Sequence, residues 1–138
     1  MLYVDASVLV ACYIPEQRSS EAETLVLSEP ECLVSDLTIA EAKNAIIRRA
    51  KRGDVQPEDL EVALAKIDEH LERGWYRSVI LGRQIYGESV TLARRSPVHV
   101  RTADALHLAI VCGLGCPLAT FDVILAAAAK AEKITVIP

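Results

Sequence analysis

Short apolar runs alternate with segments of helical periodicity, and this alternation constrains the fold more than any other feature of the chain. The apolar runs at 2–4, 32–35, 117–120 and 134–137 predict buried strands, and 75–80 predicts a loop or a short strand. Helical patterns lie at 7–14, 16–28, 38–52, 58–73, 81–95, 102–111 and 123–131. Short apolar strands that alternate with helices are typical of a parallel sheet covered on both faces. We therefore expect a layered α/β fold.

Length and composition predict one soluble domain over 1–138. A chain of 138 residues with 51% hydrophobic residues can bury a full core, which excludes a disordered protein. No apolar run reaches the roughly 18 residues that a membrane span needs, so we expect a cytoplasmic protein that does not bind membranes. The four cysteines form no CxxC pair and lie near no His cluster, and we expect them to be reduced thiols.

The net charge of −4 argues against a general nucleic-acid-binding surface, but the charges are unevenly distributed. Five basic residues and no acid lie between Lys43 and Arg52. Six arginines and the single acid Glu88 lie between Arg73 and Arg101. The net charge therefore does not exclude an enzyme that acts on nucleic acid.

Four carboxylates occupy equivalent places beside the predicted strands. Asp5 and Asp122 directly follow strands, and Glu41 and Asp104 lie in the first turns of helices. Each has a structural alternative: the two aspartates after strands could cap helices, Thr38 and Glu41 fit a capping box, and Asp104 suits a helix start. Taken singly, none of these residues indicates a function.

Taken together, the four acids indicate a metal site. The carboxyl ends of parallel strands meet along one edge of a sheet, where ligands bind in a crevice. Several carboxylates that face one crevice repel each other and require a cation or raised pKa values. Carboxylate oxygens without thiolate or imidazole neighbours suit Mg²⁺ or Mn²⁺, and one or two such ions can activate water against a phosphodiester.

Other polar residues could support this site. Ser7 and Asn44 lie near Asp5 and Glu41 in the chain and could orient the carboxylates or a bound water, and Thr120 precedes Asp122 by two residues. Arg48 and Arg52 fall on the helical face of Glu41, where they could contact the phosphates of a passing strand. A solvated basic face is the alternative.

Four further residues have open roles. Arg101 could contact phosphate or pair with an acid. His107 lies one turn after Asp104 and could be a base or a metal ligand, although a His within an apolar helix is more often a core residue. Trp75 and Tyr76 could stack on bases or cover the core or a partner surface.

Four motifs in this order resemble those of PIN-domain nucleases, and the resemblance covers nearly the whole chain. They are D-A-S at 5–7, T-I-A-E ending at Glu41 with Asn44 beyond it, R-T-A-D-A-L-H-L-A at 101–109, and A-T-F-D at 119–122. The chain length is similar to that of VapC toxins of VapBC type II toxin–antitoxin systems. All four acidic positions of the pattern hold Asp or Glu.

The resemblance implies a three-layer α/β/α fold around a parallel sheet of four to five strands. It also implies Mg²⁺- or Mn²⁺-dependent endonucleolytic cleavage of RNA, with Asp5 and Asp104 as the chief metal ligands. Asp122 would complete the site, and Glu41 would bind metal or orient water. Such toxins usually form homodimers. They are inhibited by an antitoxin that lies across the early helices and often places a basic side chain in the acidic site.

The number of apolar residues in the early helices agrees with a partner. Val8, Leu9, Val10, Tyr13, Ile14 and residues 25–27 are too many for all of them to face one sheet. Some of them are therefore expected to line a groove or a dimer surface, with simple core packing as the alternative.

Other functions are weighed against a toxin. A stand-alone PIN nuclease of RNA processing and a non-enzymatic PIN-like binding module both fit the same motifs. A haloacid-dehalogenase-type phosphotransferase needs a second acid two residues after the first, where this chain has Ser7. A response-regulator phosphoacceptor needs an early acid cluster and a late Lys at a strand end, and neither is present.

Overall fold

Five parallel strands form one central sheet in the structure, a computed structural model that describes residues 1–138. The order across the sheet is β3-β2-β1-β4-β5, so that β1 is the central strand. Its neighbours pair with it in register through Tyr3, which is opposite Leu33 on one side and Leu118 on the other. The strands are β1 (Leu2–Val4), β2 (Cys32–Ser35), β3 (Tyr76–Val79), β4 (Leu118–Ala119) and β5 (Val136–Ile137).

Seven helices cover the two faces of this sheet, which confirms the predicted three-layer α/β/α architecture. Helices α1 to α4 pack on one face and α5 to α7 on the other. None of the seven is long and apolar enough to cross a membrane. They are α1 (Ala6–Tyr13), α2 (Ser19–Ser28), α3 (Asp36–Lys51), α4 (Pro57–Glu72), α5 (Arg83–Arg95), α6 (Thr102–Leu114) and α7 (Val123–Ala131).

The pleat of β1 divides the core into two parts. Leu2 and Val4 point toward the layer of α1 to α4, where they pack with residues such as Ile46. Tyr3 points to the opposite face and packs with residues such as Leu108 of α6. Because successive side chains of a strand alternate between faces, the continuous apolar run of β1 is what a strand buried on both sides requires.

The strand order places a crevice between β1 and β4. From β1 the chain adds β2 and β3 on one side of the sheet, and it then returns to add β4 and β5 on the other side. The connections therefore diverge from the carboxyl ends of β1 and β4. In open α/β sheets, ligands bind at such a reversal of strand order.

One helix bound differs from the sequence prediction in a way that affects the site. Helix α3 begins at Asp36 because Ser35 is its N-cap: the Ser35 hydroxyl accepts from the Thr38 amide at 3.1 Å. Glu41 therefore lies in the second turn and not the first, and the capping box is formed by Ser35 and Thr38 and not by Thr38 and Glu41. Sequence analysis missed this cap because Ser35 is also the last residue of β2.

Helix α6 is longer than predicted. It continues through Gly113 to Leu114 and ends at Gly115, whose φ of +62° is the left-handed conformation that glycine adopts readily. A single glycine inside a helix costs only about 1 kcal/mol relative to alanine, so Gly113 does not break it.

Candidate functional site

Asp5 is the residue around which the carboxyl edge of the sheet is organised. It directly follows β1 and is the N-cap of α1: its Oδ1 accepts from the amides of Ser7 at 2.9 Å and Val8 at 3.2 Å. The Ser7 hydroxyl also donates to Oδ1, at 2.6 Å. Oδ2 accepts from the Thr120 hydroxyl at 2.7 Å. Both oxygens are therefore oriented by the protein.

The Asp5 carboxylate is buried and has no basic partner. Only 4% of the residue is exposed, and no Lys, Arg or His forms an ion pair with it. Burial raises the pKa of Asp5 above its usual value, although hydrogen bonds from Ser7 and Thr120 oppose the shift. A buried carboxylate without a counter-charge destabilises the folded protein, so a cation bound here would offset a cost already present.

Asp122 is connected to Asp5 through Thr120, which follows β4. The Thr120 hydroxyl that donates to Asp5 also accepts from the Asp122 amide, at 3.0 Å. On the other side, the Phe121 amide donates to the Ser7 hydroxyl at 2.8 Å. Asp122 itself caps α7, with Oδ1 accepting from the amides of Ile124 and Leu125. These bonds join the segments that follow β1 and β4.

Asp104 lies in the first turn of α6, as predicted. Its Oδ2 accepts from the Arg101 backbone amide at 2.9 Å. The carboxylate is half-buried, and its Oδ1 has no hydrogen-bond partner in the protein. Because α6 runs back toward the amino end of β4, its first turn lies at the carboxyl edge of the sheet.

Glu41 is in contact with His107. Oε2 of Glu41 lies 2.7 Å from His107 Nε2, and 37% of the Glu41 side chain is exposed. Helix α3 packs on one face of the sheet and α6 on the other, so this contact joins the two outer layers beyond the strand ends. His107 is a buried core residue, as the structural alternative predicted, and it also touches one of the four acids.

All four carboxylates lie at the same edge, but the predicted convergence is incomplete. No group of three or more His, Cys, Asp or Glu side chains is close enough to bind one ion directly. Like charges repel, and each carboxylate is instead held by hydrogen bonds to neighbouring donors. The free atoms nevertheless suit a hard cation, since Glu41 Oε1, Asp104 Oδ1 and Asp122 Oδ2 have no partner in the protein.

The candidate phosphate-binding arginines differ in their positions. Arg48 is exposed, forms no ion pair and lines a groove of about 350 Å³ together with Ser7 and Glu41. Arg52 lies outside this groove and pairs with Asp54 at 3.0 Å. Arg101 is exposed beside Asp104. The Asn44 side chain is exposed and forms no hydrogen bond, so no contact in the structure links it to Glu41.

Sequence analysis missed several polar residues at this edge. Tyr3 Oη lies 2.8 Å from both His107 Nδ1 and Ser35 Oγ, and 3.0 Å from Thr38 Oγ1. The only sequence signal for Tyr3 was a hydroxyl inside an otherwise apolar strand, which requires a buried partner. Arg18, whose guanidinium carbon lies 3.5 Å from the centre of the Phe121 ring, gave no signal because the two residues are distant in sequence.

Trp75 and Tyr76 do not belong to this edge. They lie at the amino end of β3, opposite the carboxylates, because all five strands are parallel. Trp75 is exposed and stacks on His70 with ring centres 3.9 Å apart, whereas Tyr76 is buried. At this position they cannot stack on nucleic-acid bases that lie beside the four acids.

A known protein family matches nearly the whole chain. The model of the PIN domain family matches residues 2–131. This chain belongs to the PIN domain family. The resemblance inferred from the four motifs is therefore confirmed.

Individual relatives agree with this assignment. Ribonuclease VapC3 of Pyrobaculum aerophilum is 30% identical over 121 residues, which cover 88% of each protein. The crystal structure of Mycobacterium tuberculosis VapC20, described as a sarcin-ricin loop cleaving toxin, superposes with a TM-score of 0.75 at 20% identity. That match covers 93% of this PIN-domain chain and 95% of VapC20.

A toxin–antitoxin complex from Klebsiella pneumoniae has the same fold. It superposes with a TM-score of 0.64 at 16% identity, over 100% of this chain and 97% of that one. At such identities the solved structures establish a shared fold.

We predict that Asp5→Asn does not destabilise the ion-free PIN domain at neutral pH. Asparagine keeps the N-cap oxygen and removes the buried charge. Because burial raises the pKa of Asp5, the folded protein holds this proton more tightly than the unfolded chain. The contribution of Asp5 to stability is therefore largest below its unfolded pKa and falls as pH rises through the folded pKa.

Thermal unfolding in EDTA across the acidic and neutral range measures this effect. The melting temperature of Asp5→Asn should equal or exceed that of the wild type at pH 7, with a smaller difference at low pH. Asp122→Asn is the matched control, since it changes an N-cap aspartate of the same edge that is less buried. A clear loss of stability in Asp5→Asn at neutral pH would show that the ionised carboxylate is stabilising.

Proposed function

We propose that this PIN-domain protein, as a single domain over 1–138, is a metal-dependent endoribonuclease and the toxin of a toxin–antitoxin pair. The observation that carries the proposal is the Asp5 carboxylate. It is buried, oriented at both oxygens and without a basic partner, at the reversal of strand order between β1 and β4. A site with these properties is suited to a divalent cation.

The donor atoms at this edge favour Mg²⁺ or Mn²⁺, as one or two ions. Asp5 and Asp104 would be the chief ligands, with Asp122 and Glu41 binding directly or through water. All of these donors are carboxylate oxygens, and the nearest imidazole, that of His107, is already engaged with Tyr3 and Glu41. When bound, such an ion polarises a phosphodiester and lowers the pKa of a water molecule.

The residues of the chain itself have separable tasks. Ser7 and Thr120 fix the Asp5 carboxylate, so that a ligand contact there is already oriented. Glu41 keeps Oε1 free to accept a proton or a hydrogen bond from water. Arg48 lines the groove beside Glu41 and would hold a phosphate of the RNA strand. Arg101 would hold a phosphate at the start of α6. Arg52 is the weakest candidate for phosphate binding because it already pairs with Asp54.

The names of relatives support RNA as the substrate. VapC3 is named a ribonuclease, and VapC20 is described as a sarcin-ricin loop cleaving toxin. The chain keeps an acid at each motif position that the family resemblance assigns to the site. A stand-alone processing nuclease would share this chemistry and differ in having no inhibitor.

A groove between the early helices supports an antitoxin partner. It has a volume of about 340 Å³ and is bounded by α1, α2, α4 and the start of β3. Leu27 is 75% exposed at its rim, and Trp75 is 53% exposed. Val8, Leu9 and Val10 belong to the core, so of the apolar residues of the early helices it is Tyr13, Val26 and Leu27 that line the groove.

The aromatic side of this groove is held in a fixed arrangement. Tyr13 Oη lies 2.7 Å from His70 Nδ1 and donates to Tyr76 Oη at 3.2 Å, and Trp75 stacks on His70. Rigid aromatic side chains with exposed faces are typical anchor points of protein interfaces. We propose that an apolar segment of the antitoxin binds here, while a basic side chain of the same partner reaches the carboxylates.

A homodimer is supported by a second exposed apolar region. Ile80, after β3, is 83% exposed, and Tyr86 and Val90 of α5 are 53% and 68% exposed. Helix α5 lies on the opposite face of the sheet from α1, α2 and α4, which bound the antitoxin groove. We propose that a second copy of the chain covers them.

We predict that Asp5→Asn and Asp104→Asn each reduce RNA cleavage by more than about 100-fold, since loss of even an outer partner of a metal site costs about 10- to 100-fold. Glu41→Gln should also inactivate the protein. Its role is separable from helix capping, because the capping box of α3 is formed by other residues. The assay compares cleavage of total cellular RNA in Mg²⁺, Mn²⁺ and EDTA and maps the cut sites.

Glu61→Gln is the matched control, since Glu61 is an exposed acid of α4 that forms no ion pair. It should cleave like the wild type. Near-normal cleavage by Asp5→Asn or Asp104→Asn would refute the site assignment. A wild-type protein that folds but cleaves no RNA with either ion would favour a binding module.

We predict that Leu27→Glu weakens antitoxin binding by about tenfold or more, because it places a charge in the apolar groove. RNA cleavage by the free toxin should be unchanged, since Leu27 lies far from the carboxyl edge. Binding is measured by calorimetry with the antitoxin. Val62→Glu is the matched control: Val62 is 52% exposed on α4 but does not line the groove. Equal affinities for both variants would place the antitoxin elsewhere.

A further inference from the structure

A hydrogen-bond network of buried hydroxyl and imidazole groups ends at Glu41. Starting in the core, Ser35 Oγ and Thr38 Oγ1 contact Tyr3 Oη, Tyr3 Oη contacts His107 Nδ1, and His107 Nε2 contacts Glu41 Oε2. Ser35, Thr38 and His107 are at most 2% exposed, and Tyr3 is fully buried. The network therefore extends from the interior to one half-exposed carboxylate.

The hydrogen bonds from Tyr3 to Glu41 in this network have one consistent direction of donation. A carboxylate can only accept, so the proton between His107 and Glu41 must be on Nε2. In the neutral imidazole Nδ1 is then an acceptor, and Tyr3 donates to it. Burial raises the pKa of Tyr3, which keeps its hydroxyl protonated and able to donate. The Tyr3 oxygen can then accept from Ser35, whose hydroxyl itself accepts from the Thr38 amide. The Thr38 hydroxyl has one proton, which it can donate to Tyr3 or to the Val4 carbonyl at 3.4 Å.

The contact with His107 is what holds the Glu41 side chain in place. Glu41 is on α3, in one outer layer, and has no ion pair with Lys or Arg and no second side-chain hydrogen bond. His107 is on α6, in the opposite layer, and is fixed by Tyr3 from the central strand. Without the imidazole contact, a glutamate with 37% of its side chain exposed would be free to adopt other rotamers.

We propose that His107 is a positioning residue for Glu41, with Tyr3 as the residue that fixes the imidazole tautomer. Nε2–H holds Oε2 of Glu41 and leaves Oε1 toward the groove, where it can accept a proton or orient a water. His107 is neither a metal ligand nor a base in this scheme, because both of its ring nitrogens are engaged. The expected effect on RNA cleavage rests on the proposed nuclease function, whereas the hydrogen-bond geometry does not.

The first test is nitrogen-15 NMR of the ion-free protein labelled at histidine. The ring of His107 should show a proton on Nε2 and none on Nδ1 at neutral pH, and the Nε2 proton should exchange slowly with solvent. Tyr3→Phe should speed this exchange or admit the other tautomer, since Nδ1 loses its donor. A wild-type ring that carries its proton on Nδ1 would overturn the proposal, whether or not the protein cleaves RNA.

The second test compares substitutions of His107 in RNA cleavage. His107→Leu keeps the apolar packing and removes both hydrogen bonds, so kcat should fall by about 10- to 100-fold with little change in KM. His107→Gln offers an amide donor toward Glu41 and a carbonyl acceptor toward Tyr3, and should restore most of the rate. Cleavage by His107→Leu at the wild-type rate, or no rescue by a folded His107→Gln, would refute positioning through this contact.

The two tests separate failure of this proposal from failure of the nuclease function. If the wild type cleaves no RNA while His107 shows the expected tautomer, the proposed nuclease function is wrong and the geometry of the hydrogen-bond network is correct. If the wild type cleaves RNA and the variants behave alike, the nuclease function is correct and the positioning role is wrong. Thermal unfolding of each variant establishes that it is folded at the assay temperature.

Discussion

The burial of one carboxylate at the end of the central strand is the constraint on which the rest of the site depends. Asp5 must cap α1, because the first amides of that helix have no other acceptor, and it must do so inside the crevice between β1 and β4. Its second oxygen accepts from Thr120, which follows the neighbouring strand β4. The same residue thus begins a helix, links the segments that follow β1 and β4, and places a carboxyl group in a buried position.

The other acids are placed around this point by the layers of the fold. Asp122 is held by the segment that follows β4, Asp104 by the first turn of α6, and Glu41 by α3. Two polar systems organise the edge. Ser7 and Thr120 fix Asp5, while His107, itself held by Tyr3, contacts Glu41. Burial of a carboxylate that forms no ion pair is costly, and such costs are typical of functional sites.

Much of the fold could be predicted from the sequence, because β1 and β2 are continuous apolar runs and their helices have clear stop signals. The place of the four acids along the chain could also be predicted, since Asp5 and Asp122 follow strands and Glu41 and Asp104 lie in the first two turns of helices. Their role as metal ligands stays a prediction. Two failures have local causes: Ser35 serves both β2 and the cap of α3, and a single glycine did not end α6 at Gly113. The contact of His107 with Glu41 joins residues 66 positions apart on opposite layers, which no local pattern reveals.

The most direct test of the central claim is a crystal structure of the protein grown with Mn²⁺, with an anomalous difference map to locate the ion. The structure presented here predicts a peak bounded by Asp5 and Asp104, with Asp5 still held by Ser7 and Thr120 and with Asp122 or Glu41 at coordination or water-mediated distance. A peak at another place on the protein, or a fully hydrogen-bonded Asp5 with no ion beside it at saturating Mn²⁺, would contradict the assignment of this edge as the metal site.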